Sequence, residues 1–228
     1  MEDIRIYIAE QRGETDVADG WVKSILNYGT YAAPSRSPVG KLQHANEWTG
    51  HAGQVFSLPV PGRSISVFFP LDGTLIIQTE EQEQVVPIGT MIVLSTDTPT
   101  NIRVRKMDTD ERWFIFQQFT FSVTELCYQG IRIYDLPIAN TPIKNCLLPV
   151  LEEENPTFQI YMGAFVGKEE YILDTDTAFN YTFAMALDGN FEVEQRLLFQ
   201  GDALSLPNFR KIGAECLSAT GLLLVLHF

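Results

Sequence analysis

Histidine is the scarcest chemical group in this chain: there are three, His44, His51 and His227, with none from Ala52 to Leu226. A Ser–His or Cys–His nucleophile would have to draw on one of them, and no nucleophile-elbow sequence accompanies any. Cysteine is as sparse. Cys127, Cys146 and Cys216 are odd in number, widely spaced and without a CxxC pair. They fit reduced thiols acting as small hydrophobes rather than a disulfide framework or redox motif. Basic residues are outnumbered, 16 Lys and Arg against 29 Asp and Glu, for a formal net charge of −13. Phosphate contacts need clustered Lys and Arg. The densest basic run is only Arg103, Arg105 and Lys106, so direct nucleic-acid binding is not expected. No apolar run approaches the ~20 residues of a membrane span, and the opening MEDIRIYIAEQRGE lacks the regions of a signal peptide. The expectation is a cytoplasmic protein without membrane attachment. No GxGxxG or P-loop appears, and no amphipathic helix of three turns; Trp21 to Leu26 is the nearest candidate.

What the chain does have is short apolar strands between turn residues, given twice. Gly62 to Ser95 reads as three strands hinged at Leu71-Asp72-Gly73 and at Pro87-Ile88-Gly89. The same order returns in FAMALDGNFEVEQRLLFQGDALSLP, with Leu187-Asp188-Gly189 and then Gly201-Asp202. The LDG triplets lie 116 residues apart and the following glycines 112 apart. Further strands are expected at Ile4 to Ala9, Val55 to Leu58, Asn101 to Arg105 and Trp113 to Phe121, the last apolar on both faces. Many short strands with regular turn signals indicate a sandwich or barrel, and the repeat indicates two of them. The expected fold is all-β, two tandem jelly-roll β-barrels. An N-terminal domain is expected over 1–121, including an irregular arm rich in Gly, Pro, Ser and Tyr. A connector with Pro137, Pro142, Pro149, Pro156 and the solvated run Glu152-Glu153-Glu154 is expected over 122–156, and a C-terminal domain over 157–228.

The order of the arm's residues carries a likeness. Arg12-Gly13, Gly20-Trp21-Val22-Lys23-Ser24, Asn27-Tyr28-Gly29-Thr30-Tyr31, Pro34, Arg36, Pro38, Gly40, Leu42 and Asn46 follow one another. This resembles the pirin family of bicupins, proteins of two tandem cupin barrels. The ending LLFQGDALSLPN with GLLLVLHF is similar to the family's second-domain close. The resemblance implies a metal centre held by an HPH pair before the first LDG-like turn and an H-x-E pair after the following glycine. Those positions fall on Pro59 and Pro61, and near Ile102 and Val104. None is a ligand for non-haem iron, copper or manganese, and no His, Asp, Glu or Cys lies between Gln54 and Leu71 or between Thr98 and Met107. No cofactor is therefore expected.

Two other constellations stand out. His44, Glu47 and His51 form the one His-rich cluster. On a helix all three would share a face, but the two glycines of HANEWTGHAG argue for strand and loop, where His44 and His51 point apart. Phe68, Trp113 and Phe116 are candidates to line an apolar pocket in the first barrel, set against an ordinary filled core. Three functions follow: a metal-free binder of a small molecule or protein partner, a metal-dependent dioxygenase of the quercetin-cleaving type, or a structural module with a filled barrel. Exposed barrel edges leave a homodimer open.

Overall fold

A computed structural model of the chain describes residues 4–17, 20–107, 112–138, 143–151, 157–174 and 178–228. The first strand is β1 (Arg5–Tyr7). Then come β2 (Gly13–Val17), β3 (Gly20–Ser24), β4 (Leu42–His51), β5 (Val55–Val60), β6 (Ser64–Asp72), β7 (Leu75–Gln78) and β8 (Glu83–Val86). These are followed by β9 (Thr90–Thr96), β10 (Thr100–Lys106), β11 (Trp113–Ser122) and β12 (Gly130–Asp135). The remainder are β13 (Leu148–Pro149), β14 (Gln159–Val166), β15 (Glu170–Asp174), β16 (Tyr181–Asp188), β17 (Phe191–Val193), β18 (Arg196–Leu198), β19 (Ala203–Pro207), β20 (Lys211–Cys216) and β21 (Thr220–His227). Short 3-10 turns occur at Ala9–Gln11 and Pro34–Arg36. Among the described residues no helix is long and apolar enough to cross a membrane.

The chain divides into two compact units, Gly13–Asp135 and a second made of Met1–Arg12 with Leu136–Phe228. In the first, a seven-stranded sheet β12-β9-β6-β11-β4-β3-β2 faces a four-stranded sheet β5-β10-β7-β8. In the second, the orders are β1-β19-β16-β21-β14-β13 and β15-β20-β17-β18. The units match strand for strand, with β1 in the place of β12 and β2 as an addition to the first. Each core lies between its two sheets. In the first unit, Trp48, Phe68, Ile92, Phe114 and Phe116 of the larger sheet meet Phe56, Leu58, Val60, Leu75, Ile77, Ile102 and Val104 of the smaller. In the second, Phe165, Leu204, Leu223 and Val225 meet Phe191, Val193, Ile212 and Cys216. Two-sheet closure of this kind follows from alternating inward apolar residues on each strand.

The repeat read from the sequence has a backbone cause. On β6 the pairing with β11 passes from Asp72↔Ile115 to Pro70↔Phe116, skipping Leu71. On β16 the pairing with β21 passes from Asp188↔Leu222 to Ala186↔Leu223, skipping Leu187. The same bulge thus precedes each LDG glycine, bending the strand into its turn. Gly73 and Gly189 have φ of 78° and 73°, and Gly89 and Gly201 have 87° and 85°, a region in which a side chain is strained.

Three expectations change. The division does not fall at 121/122 and 156/157, because the arm's first strand joins the C-terminal unit: Arg5, Ile6 and Tyr7 pair with Ser205, Leu204 and Ala203. Tyr7 is buried against Phe183 at 6.0 Å, while Ile6 and Ile8 are exposed. The 122–156 segment is not only connector, since β12 pairs with β9 from Gly130↔Ser95 to Asp135↔Thr90 before Pro137 ends it. The arm is irregular only between β3 and β4, where tight bridges form at Tyr28↔Tyr31 and Val39↔Leu42. Glu152, Glu153 and Glu154 lie outside the described residues.

The junction of β1 with its unit rests on one buried carboxylate. Asp202, 4% exposed, accepts the Ala9 backbone N–H at 2.6 Å on Oδ1 and the Phe199 N–H at 2.9 Å on Oδ2. Beside it the Arg12 guanidinium donates to the Gly201 carbonyl. Charge-assisted bonds to backbone donors are among the stronger ones in proteins.

Candidate functional site

On β5, burial alternates from Val55 outward and Phe56 inward to Pro59 outward and Val60 inward. Pro59 and Pro61 are exposed and do not line the barrel. β5 is an edge strand of its sheet, the place where a proline's missing N–H is tolerated. The inward positions are one residue away: Phe56 pairs with Val104, Leu58 with Ile102 and Val60 with Thr100. A slip of one residue exchanges the two faces of a strand, and here it leaves the chemistry aliphatic. Leu58, Val60, Ile102 and Val104 are all buried in the core of the Gly13–Asp135 unit. They offer no nitrogen, oxygen or sulfur to a metal, so the residues present do not fit the centre that the family likeness implies. Among the described residues no group of three or more His, Cys, Asp or Glu is placed to hold a metal ion.

The His-rich cluster is split by its strand. All three residues lie on β4, whose inward face carries His44, Asn46 and Trp48. Glu47 is on the opposite face and accepts a hydrogen bond from Gln117 Nε2 at 2.9 Å. On that same face the His51 ring sits edge-on to Trp113 at 5.2 Å, and Trp113 packs on Trp21 at 5.0 Å. Phe68 and Phe116 fill the core, but Trp113 is 44% exposed and points away from it. Both faces of β11 are apolar, so composition alone did not reveal which one turns inward.

A cleft of about 480 Å³ opens over this core. Its walls include Val22 and Trp48 from β3 and β4, Phe56 from β5, Thr15 and Val17 from β2, and Tyr28 with Gly29 and Thr30 from the loop between β3 and β4. Room for Phe56 comes from Gly20 and Gly50, which face each other across β3 and β4. A Cβ on Gly50 would come within 2.7 Å of the Phe56 and Phe114 rings. Among the described residues no Asp, Glu, Lys, Arg or His lines the cleft; the polar groups there are those of Thr15, Thr30, Gln54, Ser57 and Tyr28. Burial raises the Tyr28 pKa above its ordinary 10.0, keeping the phenol neutral. Behind Tyr28 stands His44, whose pKa burial lowers below 6.5, favouring the neutral imidazole. The Tyr28 ring meets His44 edge-on at 5.0 Å and Trp48 edge-on at 5.8 Å.

Below these rings runs a buried polar network. Gln118 Oε1 accepts from Trp48 Nε1 at 2.8 Å and from Asn46 Nδ2 at 3.1 Å. Ser66 and Thr120 hydroxyls are 2.9 Å apart in the same interior. Sequence reading missed Trp48, Phe56 and Gln118. The available signal was the i, i+2, i+4 run His44, Asn46, Trp48, which shares one face once β4 is recognised as a strand.

The sequence matches no protein-family model and none of the curated proteins. Solved structures do match. YhhW from Escherichia coli superimposes with a TM-score of 0.85 at 16% identity, over 99% of this chain and 97% of that one. Bacterial pirin YhhW from Escherichia coli in complex with nickel(II) gives 0.82 at 17% identity, over 98% of each chain. The fold is that of a pirin-like bicupin. Quercetin 2,3-dioxygenase from Acinetobacter baumannii is similar at a TM-score of 0.65 and 13% identity, over 98% of this chain and 78% of that one. Within the bicupin fold, the cleft just described belongs wholly to the Gly13–Asp135 cupin unit.

Proposed function

We propose that this pirin-like bicupin is a metal-free binding protein that takes a small, uncharged and largely apolar molecule into the cleft of its Gly13–Asp135 unit. One neighbour of the fold is a nickel(II) complex and another is a quercetin 2,3-dioxygenase. The observation that carries the present reading is the aliphatic set Leu58, Val60, Ile102 and Val104 beneath an uncharged aromatic cleft. Small-molecule sites are concave and mostly apolar, with a few placed polar groups, which is the composition found here.

Two measurements test this. Elemental mass spectrometry on protein purified without chelators or a histidine tag should find near-zero iron, copper, manganese, nickel and zinc. About one tightly held metal per chain would overturn the metal-free part. N-phenyl-1-naphthylamine, a neutral probe that brightens in apolar surroundings, should bind the wild type and be excluded by Thr15→Trp, which fills the cleft from its half-buried wall. Equal brightening with both proteins would remove the cleft from consideration.

A further inference from the structure

Among the described residues, Asn46 Oδ1 and His44 Nδ1 in this interior find no hydrogen-bond partner. The first is fixed in place by its neighbours. An indole N–H only donates, so the Gln118 atom facing Trp48 Nε1 is the amide oxygen. That oxygen also receives Asn46, so the Asn46 atom turned towards it is the nitrogen. Asn46 Oδ1 must then point away from Gln118, and Asn46 is only 1% exposed. A buried acceptor without a donor is costly, and native interiors seldom leave one so.

Its position indicates what would satisfy it. His44, Asn46 and Trp48 follow one another at every second residue on the inward face of β4. Tyr28 touches the rings on either side, His44 and Trp48, and so lies across Asn46. Tyr28 and Trp48 are also walls of the cleft. Tyr28 therefore stands between the cleft and the two unpartnered atoms. It belongs to a loop, held by the reciprocal Tyr28–Tyr31 backbone bonds of 3.1 and 2.9 Å around Gly29 (φ 57°), and not to either sheet.

We infer that the cleft and the Asn46–His44 pair are two halves of one site, whose ligand is a neutral aromatic molecule carrying a hydrogen-bond donor, a hydroxyl or amino group. The ring body lies among Val22, Trp48 and Phe56, and the donor reaches past Tyr28 to Asn46 Oδ1, with His44 Nδ1 beside it. A carboxylate or sulfonate is rejected, because its oxygens would face the Asn46 acceptor with no cation among the described residues of the cleft lining to offset their desolvation. This rests on the cleft being a binding site, as proposed above.

The test is calorimetric titration of the full chain at neutral pH with four compounds of one ring system: 2-naphthol, 2-naphthylamine, 2-methoxynaphthalene and 2-naphthoate. 2-Naphthol and 2-naphthylamine should bind about tenfold or more tightly than 2-methoxynaphthalene, which accepts but cannot donate, since a site built to pair a donor discriminates against the analogue lacking it. 2-Naphthoate should bind weakest. Asn46→Leu should abolish the preference for donors, bringing 2-naphthol and 2-methoxynaphthalene to within about twofold of each other; if that variant does not fold, the wild-type series decides alone. Equal affinities for naphthol and methoxynaphthalene would overturn the inference and leave the cleft reading standing, with a resident water satisfying Asn46. Tightest binding of naphthoate would also overturn it. No binding by any of the four would overturn both.

Discussion

Replacing Asp202 by alanine should loosen the C-terminal cupin unit at one defined place. The side chain removed is buried and serves two backbone donors, Ala9 N–H at 2.6 Å and Phe199 N–H at 2.9 Å. Hydrogen bonds to a charged group contribute about 1.5–3 kcal/mol each, so the pair amounts to roughly 3–6 kcal/mol. Alanine also relieves the desolvation of a buried carboxylate, which offsets part of this. A net loss of about 2–4 kcal/mol is expected. At ~4–8 °C per kcal/mol for a domain of about 100 residues, melting should fall by roughly 10–30 °C in the transition of that unit. Differential scanning calorimetry reads the shift, and limited trypsin digestion locates it, because release of β1 exposes Arg5 and Arg12 to cleavage. Asp202→Asn keeps one acceptor oxygen but sets its amide N–H against the other backbone donor, and should also destabilise. If Asp202→Ala melts within about 2 °C of the wild type and resists trypsin equally at both arginines, the carboxylate does not hold β1 and the reasoning fails.

Acid should weaken the Gly13–Asp135 unit partly through His44. Its folded-state pKa lies below the ordinary 6.5, so between the two values the unfolded chain binds more protons than the folded one. This contribution is complete above about pH 6.5, is lost as pH falls through the window, and levels off below the folded pKa. Urea unfolding of wild type and His44→Gln at about pH 7.5 and 5.5 should show a smaller acid loss in the variant; equal losses would refute the assignment. On the second unit, Glu215 of β20 lies directly between Glu170 of β15 and Glu192 of β17 on one sheet face. Like charges so paired are destabilising, so Glu215→Thr should stabilise by about 0.5–1.5 kcal/mol at low salt, with the gain shrinking as salt screens the row; no gain, or one insensitive to salt, would count against it.

The duplicated architecture was legible because its signals are local. A bulge before a glycine of positive φ leaves the same short phrase wherever it occurs, and Leu71-Asp72-Gly73 and Leu187-Asp188-Gly189 carry it. The partner of β1 was not legible, since nothing in Arg5-Ile6-Tyr7 encodes a pairing with Ala203 to Ser205. Pro59 and Pro61 face outward from the barrel. Arg63 adopts φ 52° between β5 and β6, with its N–H on the Asp97 carbonyl at 3.1 Å, while the inward residues of β5 are Phe56, Leu58 and Val60. Residues 55–70 include no His, Asp, Glu or Cys, so a shift of one residue leaves this strand without any of them. The cleft was invisible for a different reason. Its walls come from four strands and the loop between β3 and β4, and Tyr28 acquires its place only when that loop folds back over β4.

The sharing of strands between the two units sets an order on synthesis. All strands of the Gly13–Asp135 cupin are contiguous, so it can close while later residues are still being made. The other cupin has its edge strand, Arg5–Tyr7, translated first, yet that strand has nothing to pair with until Ala203–Pro207 leaves the ribosome. A pairing so distant is slow to form, since loop closure must precede the contacts that stabilise it. The segment of this unit that is born earliest thus docks late, and until it does, the backbone edge of β19 stands open to any other strand that comes near.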